Sequence, residues 1–207
     1  TLLTKLKSGR DGNGNTVPPE LGSMIHSVKI QNTKWFHLTG SLVNCNGEIN
    51  EECIPHPFYL SGHPAWGDPE LHPWTTSYQM SYSTEAVLWG TWIKVNLADE
   101  LPVKVAGLVM DNDFGLAYEM GFESYAEQNP DVVAEYLPVR HDPAAPTLTN
   151  EVTTIAAFDP DVFISMTAGN PCLLAVQEVE ASGLYDRLSA AFTPSVCKGI
   201  AAYMAPA

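Results

Sequence analysis

The sequence predicts a doubly wound α/β fold built on a parallel sheet, and three observations carry that prediction. The first is the stretch Leu101 to Gln128, LPVKVAGLVMDNDFGLAYEMGFESYAEQ. An apolar, β-branched run (Val103, Val105, Ala106, Leu108, Val109) stops at Asp111-Asn112-Asp113. Apolar and aromatic residues then recur at helical spacing in Leu116, Met120, Phe122 and Tyr125. A continuous apolar run that ends in turn residues and enters a helix reads as a strand covered on both faces, then a crossover helix. The second is that, from residue 80 onward, helical and strand patterns alternate four times. Parallel strands need such crossovers. The third is that the polar turns fall at the carboxyl ends of the strands, where open α/β folds place ligands.

Taken in order, residues 1 to 33 stay unassigned. Asp11-Gly12-Asn13-Gly14-Asn15 is a turn by composition, Pro18-Pro19 interrupts any helix, and Val28-Lys29-Ile30 is a short strand candidate. Gly12-x-Gly14 lacks the third glycine and the preceding strand of a dinucleotide fingerprint. Trp35 to Leu38 is strand-like, and a short helical stretch spans Glu48 to Glu52. Ile54 to Leu60 reads as an extended strand whose prolines restrict it to an edge. Ser61 to Pro69 is too crowded with Gly and Pro for regular structure, and long loops of this kind carry function disproportionately. His72 to Thr76 is a connecting strand. Ser83 or Thr84 can cap a helix over Glu85 to Asn96 that buries Val87, Leu88, Trp92 and Val95. After the central unit come a strand (Val132 to Val139), a loop (His141 to Pro146) and a helix (Asn150 to Phe158). A buried strand (Asp161 to Met166), the turn Thr167 to Pro171, and a helix (Cys172 to Ser182) stopped by Gly183 follow. Ser195 to Met204 reads as the next strand.

Composition narrows the classes. The chain has 207 residues, enough for one large domain or two small ones, with 45% hydrophobic and 16% charged residues. A net charge of −14 repels nucleic acid and anionic membrane, so neither is expected as a partner. No apolar run reaches the roughly 18 residues of a membrane span, and no signal peptide is recognisable at Thr1. The apolar run Ile200 to Met204 suggests a chain cut from something longer. The four cysteines fall into two local sets, Cys45 with Cys53 and Cys172 with Cys197. Two disulfides outside the cytoplasm and four small buried hydrophobes are both open readings. No Cys/His spacing suits zinc, and no metal or cofactor is expected.

Chemistry-bearing motifs are sparse. Asp111 and Asp113 end a strand and cap a helix as readily as they bind anything. As a calcium loop the stretch fails, with Leu116 at the glycine position and Phe122 at the final glutamate. His63 is either a ligand contact or a loop histidine bonded to backbone, and Trp66 and Trp74 read as packing residues. His141-Asp142 has no nucleophile motif beside it, so no catalytic residue is assigned and an enzyme is not expected.

Val105 to Gly121, VAGLVMDNDFGLAYEMG, resembles the strand-turn-helix of the periplasmic binding protein type 1 family. It is most similar to the solute receptors of ABC importers for branched-chain amino acids and amides, the Leu/Ile/Val-binding type. Asp142 to Gly183 is similar to the same family, and Ser61 to Trp74 resembles the segment that crosses its hinge. The resemblance covers residues 54 to 204 and rests on the succession of units. It implies two α/β lobes closing on a ligand (a Venus-flytrap architecture), incomplete in this chain: 1–72 a partial first lobe, 73–80 a hinge crossover and 81–207 the second lobe. It implies ligand contacts at Phe114, at Thr167, Ala168 and Gly169, and from the first lobe at Ser41, Asn44, Ser61, Gly62 and His63. Family members often carry tyrosine at the position of Phe114, so the phenolic hydroxyl is not offered here. The acidic partner of an amino group would fall near or beyond Ala205. The implied function is an extracytoplasmic, secreted or lipid-anchored receptor that delivers a small polar solute to importer membrane subunits. The competing class is an enzyme or ligand-sensing regulator on a similar fold.

Overall fold

The computed structural model describes residues 56–59, 61–73 and 75–199. The chain divides into two compact units, Thr1–Ser81 and Tyr82–Ala207. In the first, β1 (His56–Tyr59) pairs in parallel with β2 (Thr75–Ser77). The loop between them, expected to lack regular structure, contains one 3-10 turn at Pro64–Gly67. The strand expected at Trp35 to Leu38 and the helix at Glu48 to Glu52 lie outside the described residues.

The second unit runs α1 (Tyr82–Asn96), β3 (Val103–Met110), α2 (Asp113–Gln128), β4 (Val133–His141), α3 (Thr149–Phe158), β5 (Val162–Met166), α4 (Asn170–Ala181), β6 (Ala190–Phe192), α5 (Ser195–Gly199). Its four strands among the described residues are all parallel, in the order β4-β3-β5-β6. The two central strands are buried almost throughout, as their unbroken apolar runs require. Side chains alternate across the sheet, and two apolar clusters result. Val105, Val109, Ile164 and Met166 face α1 and α2, whereas Ala106, Leu108 and Phe163 face α3 and α4.

Three local expectations are corrected. Helix α1 begins at Tyr82 and buries Ala86, Trp89, Gly90 and Ile93, not Val87, Leu88, Trp92 and Val95, which are exposed. The helix is apolar nearly all round, so periodicity could not choose a face; close approach to α2 did. A Cβ on Gly90 would stand 2.3 Å from the Tyr125 ring, and one on Gly121 of α2 would meet the Ser83 carbonyl oxygen at 2.4 Å. Ser83 lies inside α1, where its hydroxyl donates to the Ala117 carbonyl at 2.8 Å, so it does not cap. The second correction concerns α2. Its cap is Asn112, whose side-chain oxygen accepts from the amides of Phe114 and Gly115 at 3.1 and 3.2 Å, rather than either flanking aspartate. The third is that Ser195 onward is helical, not strand, through Gly199; residues 200–204 lie outside the described residues. Pairing with β5 is already used by Ala190–Phe192, and Pro194 has no amide with which to extend that ladder.

Gly115 fixes the strand-to-helix turn. A Cβ there would lie 2.0 Å from the Met110 carbonyl oxygen, so no side chain fits. Gly115→Ala should lower stability by about 2–3 kcal/mol, whereas Gly67→Ala, with open space around it, should change it by less than about 0.5 kcal/mol. Urea midpoints of the two variants check this; equal midpoints would show that the turn relaxes freely.

Candidate functional site

In a parallel sheet wound this way, every strand's carboxyl end and every following helix's N-terminus lie on one edge. The chain leaves β3 toward the face covered by α2 and leaves β5 toward the face covered by α4. Adjacent strands whose connections part to opposite faces open a crevice between them. Its two rims are Asp111 to Phe114 and Thr167 to Asn170, the two turns that the sequence marked.

The first rim is shaped by Asn112, which holds the start of α2 while leaving Asp111 and Asp113 exposed. Phe114 is half-buried in the first turn, its ring 4.7 Å from that of Tyr82 and 5.1 Å from that of Tyr118. Tyr118 stacks in turn on Trp89 at 5.1 Å. Phe114 therefore caps an aromatic ladder, and its ring serves packing as well as the rim. Glu85 of α1 ties this corner together by accepting from the Tyr118 hydroxyl and from the Ser195 amide, the latter at 2.9 Å. No sequence pattern marks that tie, because its three members are 33 and 110 residues apart.

The second rim is the β5–α4 turn. Thr167 is fully buried, with its hydroxyl 2.7 Å from that of Ser165. Ala168 and Gly169 are half-buried, and Gly169 adopts φ 67°, which favours glycine. Cys172 and Cys197 stand at bonding distance, with S–S 2.00 Å and Cα–Cα 5.9 Å. Both sulfurs lie against the Thr167 carbonyl oxygen, at 3.4 and 3.2 Å. Phe114 and Thr167–Gly169 are thus brought to one edge of one sheet. Ser61, Gly62 and His63 belong to the other unit, where the Ser61 hydroxyl accepts from the His63 amide at 3.2 Å. His63 Nδ1 accepts from the Ala65 amide at 3.1 Å, so the ring caps the 3-10 turn. Ser41, Asn44, Cys45 and Cys53 lie outside the described residues.

Near the end of β4, Arg140 pairs with the buried Glu119 carboxylate at 2.9 Å. That hydrogen bond, with the charge behind it, holds the guanidinium further toward its charged form. Among the described residues there is no group of His, Cys, Asp and Glu able to hold a metal ion, and no helix long and apolar enough to cross a membrane.

Solved structures supply the comparison. A solute-binding protein of an ABC transporter from Rhodopseudomonas palustris HaA2, in complex with p-hydroxybenzoic acid, superposes with TM-score 0.61 over 75% of this chain at 18% identity. A periplasmic binding protein from Burkholderia mallei gives TM-score 0.62 over 92% at 17% identity. The chain has the periplasmic solute-binding protein fold. An R. palustris solute-binding protein in complex with benzoate shares that fold over 95% of this chain, with TM-score 0.61 and 16% identity. The chain spans 40%, 54% and 56% of those three proteins' lengths. No family model matches the sequence, and a search of curated proteins gives no match.

The Glu85 corner predicts an alkaline signature. Tyr118 is pushed well above the usual tyrosine range, first by burial and then by its hydrogen bond to Glu85 and that group's charge. Tyr136 is raised too, by burial first and then by Glu119 and Glu123. Unfolded tyrosines ionise near pH 10, whereas these keep their protons in the fold. Their contribution is complete below that pH and is lost as pH rises toward the folded values, at about 1.4 kcal/mol per pH unit per tyrosine. Urea midpoints between pH 8 and 11 should fall above pH 10, and less steeply in Tyr118→Phe. An identical slope in that variant would mean that Tyr118 is not shielded.

Proposed function

We propose that this chain is part of an extracytoplasmic receptor that holds a small polar solute and delivers it to the membrane subunits of an ABC importer. The observation that carries this reading is the switch point between β3 and β5, where two polar turns each open a helix. Backbone amides at helix N-termini favour a carboxylate by about 0.3–1 kcal/mol, and the Phe114 ring offers an apolar wall beside them. The solute is accordingly a small acid or amide: a branched-chain amino acid, a short amide or an aromatic acid of the kind two structural neighbours carry. Phe114, Thr167, Ala168 and Gly169 form the contribution of residues 81–207. Thr167 contributes through its backbone, since its hydroxyl is engaged by Ser165. Ser41, Asn44, Ser61, Gly62 and His63 contribute from residues 1–72, with 73–80 as hinge, and solute binding favours the closed arrangement of the two lobes. Cys172–Cys197, and Cys45–Cys53 with it, are oxidised, in keeping with a chain outside the cytoplasm.

The competing class, an enzyme or ligand-sensing regulator, is separated from this one by the fate of the solute. Titration calorimetry with leucine, valine, acetamide, benzoate and 4-hydroxybenzoate should give saturable binding of at least one, recovered unchanged. Phe114→Leu should weaken it about fivefold through the lost ring face. Turnover of the solute would favour an enzyme, and no binding by any of the five would remove the receptor reading. Unchanged affinity in Phe114→Leu would take that ring out of the site.

A further inference from the structure

We infer that α5 is a clasp that couples the two rims of this edge, with Glu85 and Cys172 as its anchor points. Both are positioning residues, acting through the rims rather than on a solute. What the rims are used for rests on the receptor reading; their coupling does not. The need for a clasp follows from the topology. Helix α2 covers one face of the sheet and α4 the other, so the helices that the two rims open cannot pack on one another. Each rim also has its own local support. Asn112 holds the amides of Phe114 and Gly115 in the first, and the Gly169 carbonyl accepts from the Cys172 amide at 3.1 Å in the second. With those supports alone the two turns would open independently, as segments at ligand-binding edges commonly do.

Helix α5 reaches elements on both faces. Phe192, the last residue of β6, sets its ring 6.2 Å from that of Trp89 and 5.3 Å from that of Trp92, which brings the chain to α1. Ser195, the first residue of α5, then donates its amide to Glu85 Oε1 at 2.9 Å. The other oxygen of that carboxylate accepts from the Tyr118 hydroxyl, and Tyr118 is one helical turn from Phe114. One side chain thus bonds the start of α5 to the helix of the first rim, and hydrogen bonds to a carboxylate are about twice as strong as neutral ones. Two residues later Cys197 stands at bonding distance from Cys172, in the first turn of α4. Cys197 is buried, and its sulfur lies 3.2 Å from the Thr167 carbonyl oxygen.

The two anchors therefore sit within one short helix, with no slack between them. From rim to rim the path runs Phe114, Tyr118, Glu85, Ser195, Cys197, Cys172. Each step is a ring contact, a hydrogen bond, a helical turn or the paired sulfurs. Contiguous groups of this kind on rigid elements carry coupling between sites, and the physical evidence for it is a response at the distant end. Cutting either anchor must then be felt at the opposite rim.

Hydrogen–deuterium exchange of the whole chain, with no solute added, is the test. Glu85→Gln keeps one acceptor and loses the other, and should raise exchange at residues 168–172, the distant rim, by about threefold or more. Cys172→Ala with Cys197→Ala cuts the other anchor but leaves small apolar side chains, and should do the same at residues 113–118. Residues 149–158, on α3, which carries neither anchor, should stay within about twofold in both variants. Changes confined to the rim beside each substituted residue would mean two separate local supports and overturn the inference. So would a rise that includes α3 equally, which is a general loss of stability. If the double variant does not fold, Glu85→Gln decides alone. The receptor reading fails separately: it falls if none of the five solutes binds, whatever the rims do, and it stands if a solute binds while the rims respond independently.

Discussion

The second unit depends on one close contact, the start of α2 against the end of β3. Gly115 has no side chain, and the space a Cβ would occupy belongs to the Met110 carbonyl. Only with that approach can Asn112 reach the amides of Phe114 and Gly115 and turn the chain from strand to helix within two residues. The rest follows mechanically. The helix is laid against α1 through Gly90 and Gly121, the aromatic ladder from Phe114 to Trp89 fills the gap between the helices, and Asp111 and Asp113 are left at the open edge.

That edge joins structure to chemistry. A parallel sheet collects every helix N-terminus on the side where its strands end, so amide donors accumulate there whatever the sequence does. This sequence adds a place for them to converge. Connections from β3 and β5 part to opposite faces, and the β5–α4 turn is backed by Cys172 and Cys197 against Thr167. A rim held from behind by buried atoms is suited to presenting backbone groups in fixed directions. The acidic chain as a whole repels anions, so recognition of an acid has to be local, through amides and helix ends rather than net charge.

Legibility from sequence tracked how far apart the deciding residues are. The β3–turn–α2 unit was readable because its period changes within a few residues and both halves are strongly patterned. The face of α1 was not, because Val87, Leu88, Trp92 and Val95 are as apolar as the residues that pack, and the choice was made by Tyr125 and Ala117 across the interface. Asp111, Asn112 and Asp113 are comparable capping residues, so composition found the turn but not the cap. Strand β6 escaped because it has only three residues, and a more apolar stretch follows it. The two rims were legible as turns. The burial of His141 was not, since it depends on the strand beside it and on the helices above.

Hydrogen–deuterium exchange of the chain, with and without a saturating solute from the panel, tests the central claim most directly. If the carboxyl edge between β3 and β5 is the site, protection should concentrate in peptides covering residues 111–115 and 168–170. Protection confined to the opposite edge, where β3 and β5 begin at Val103 and Val162, would contradict it.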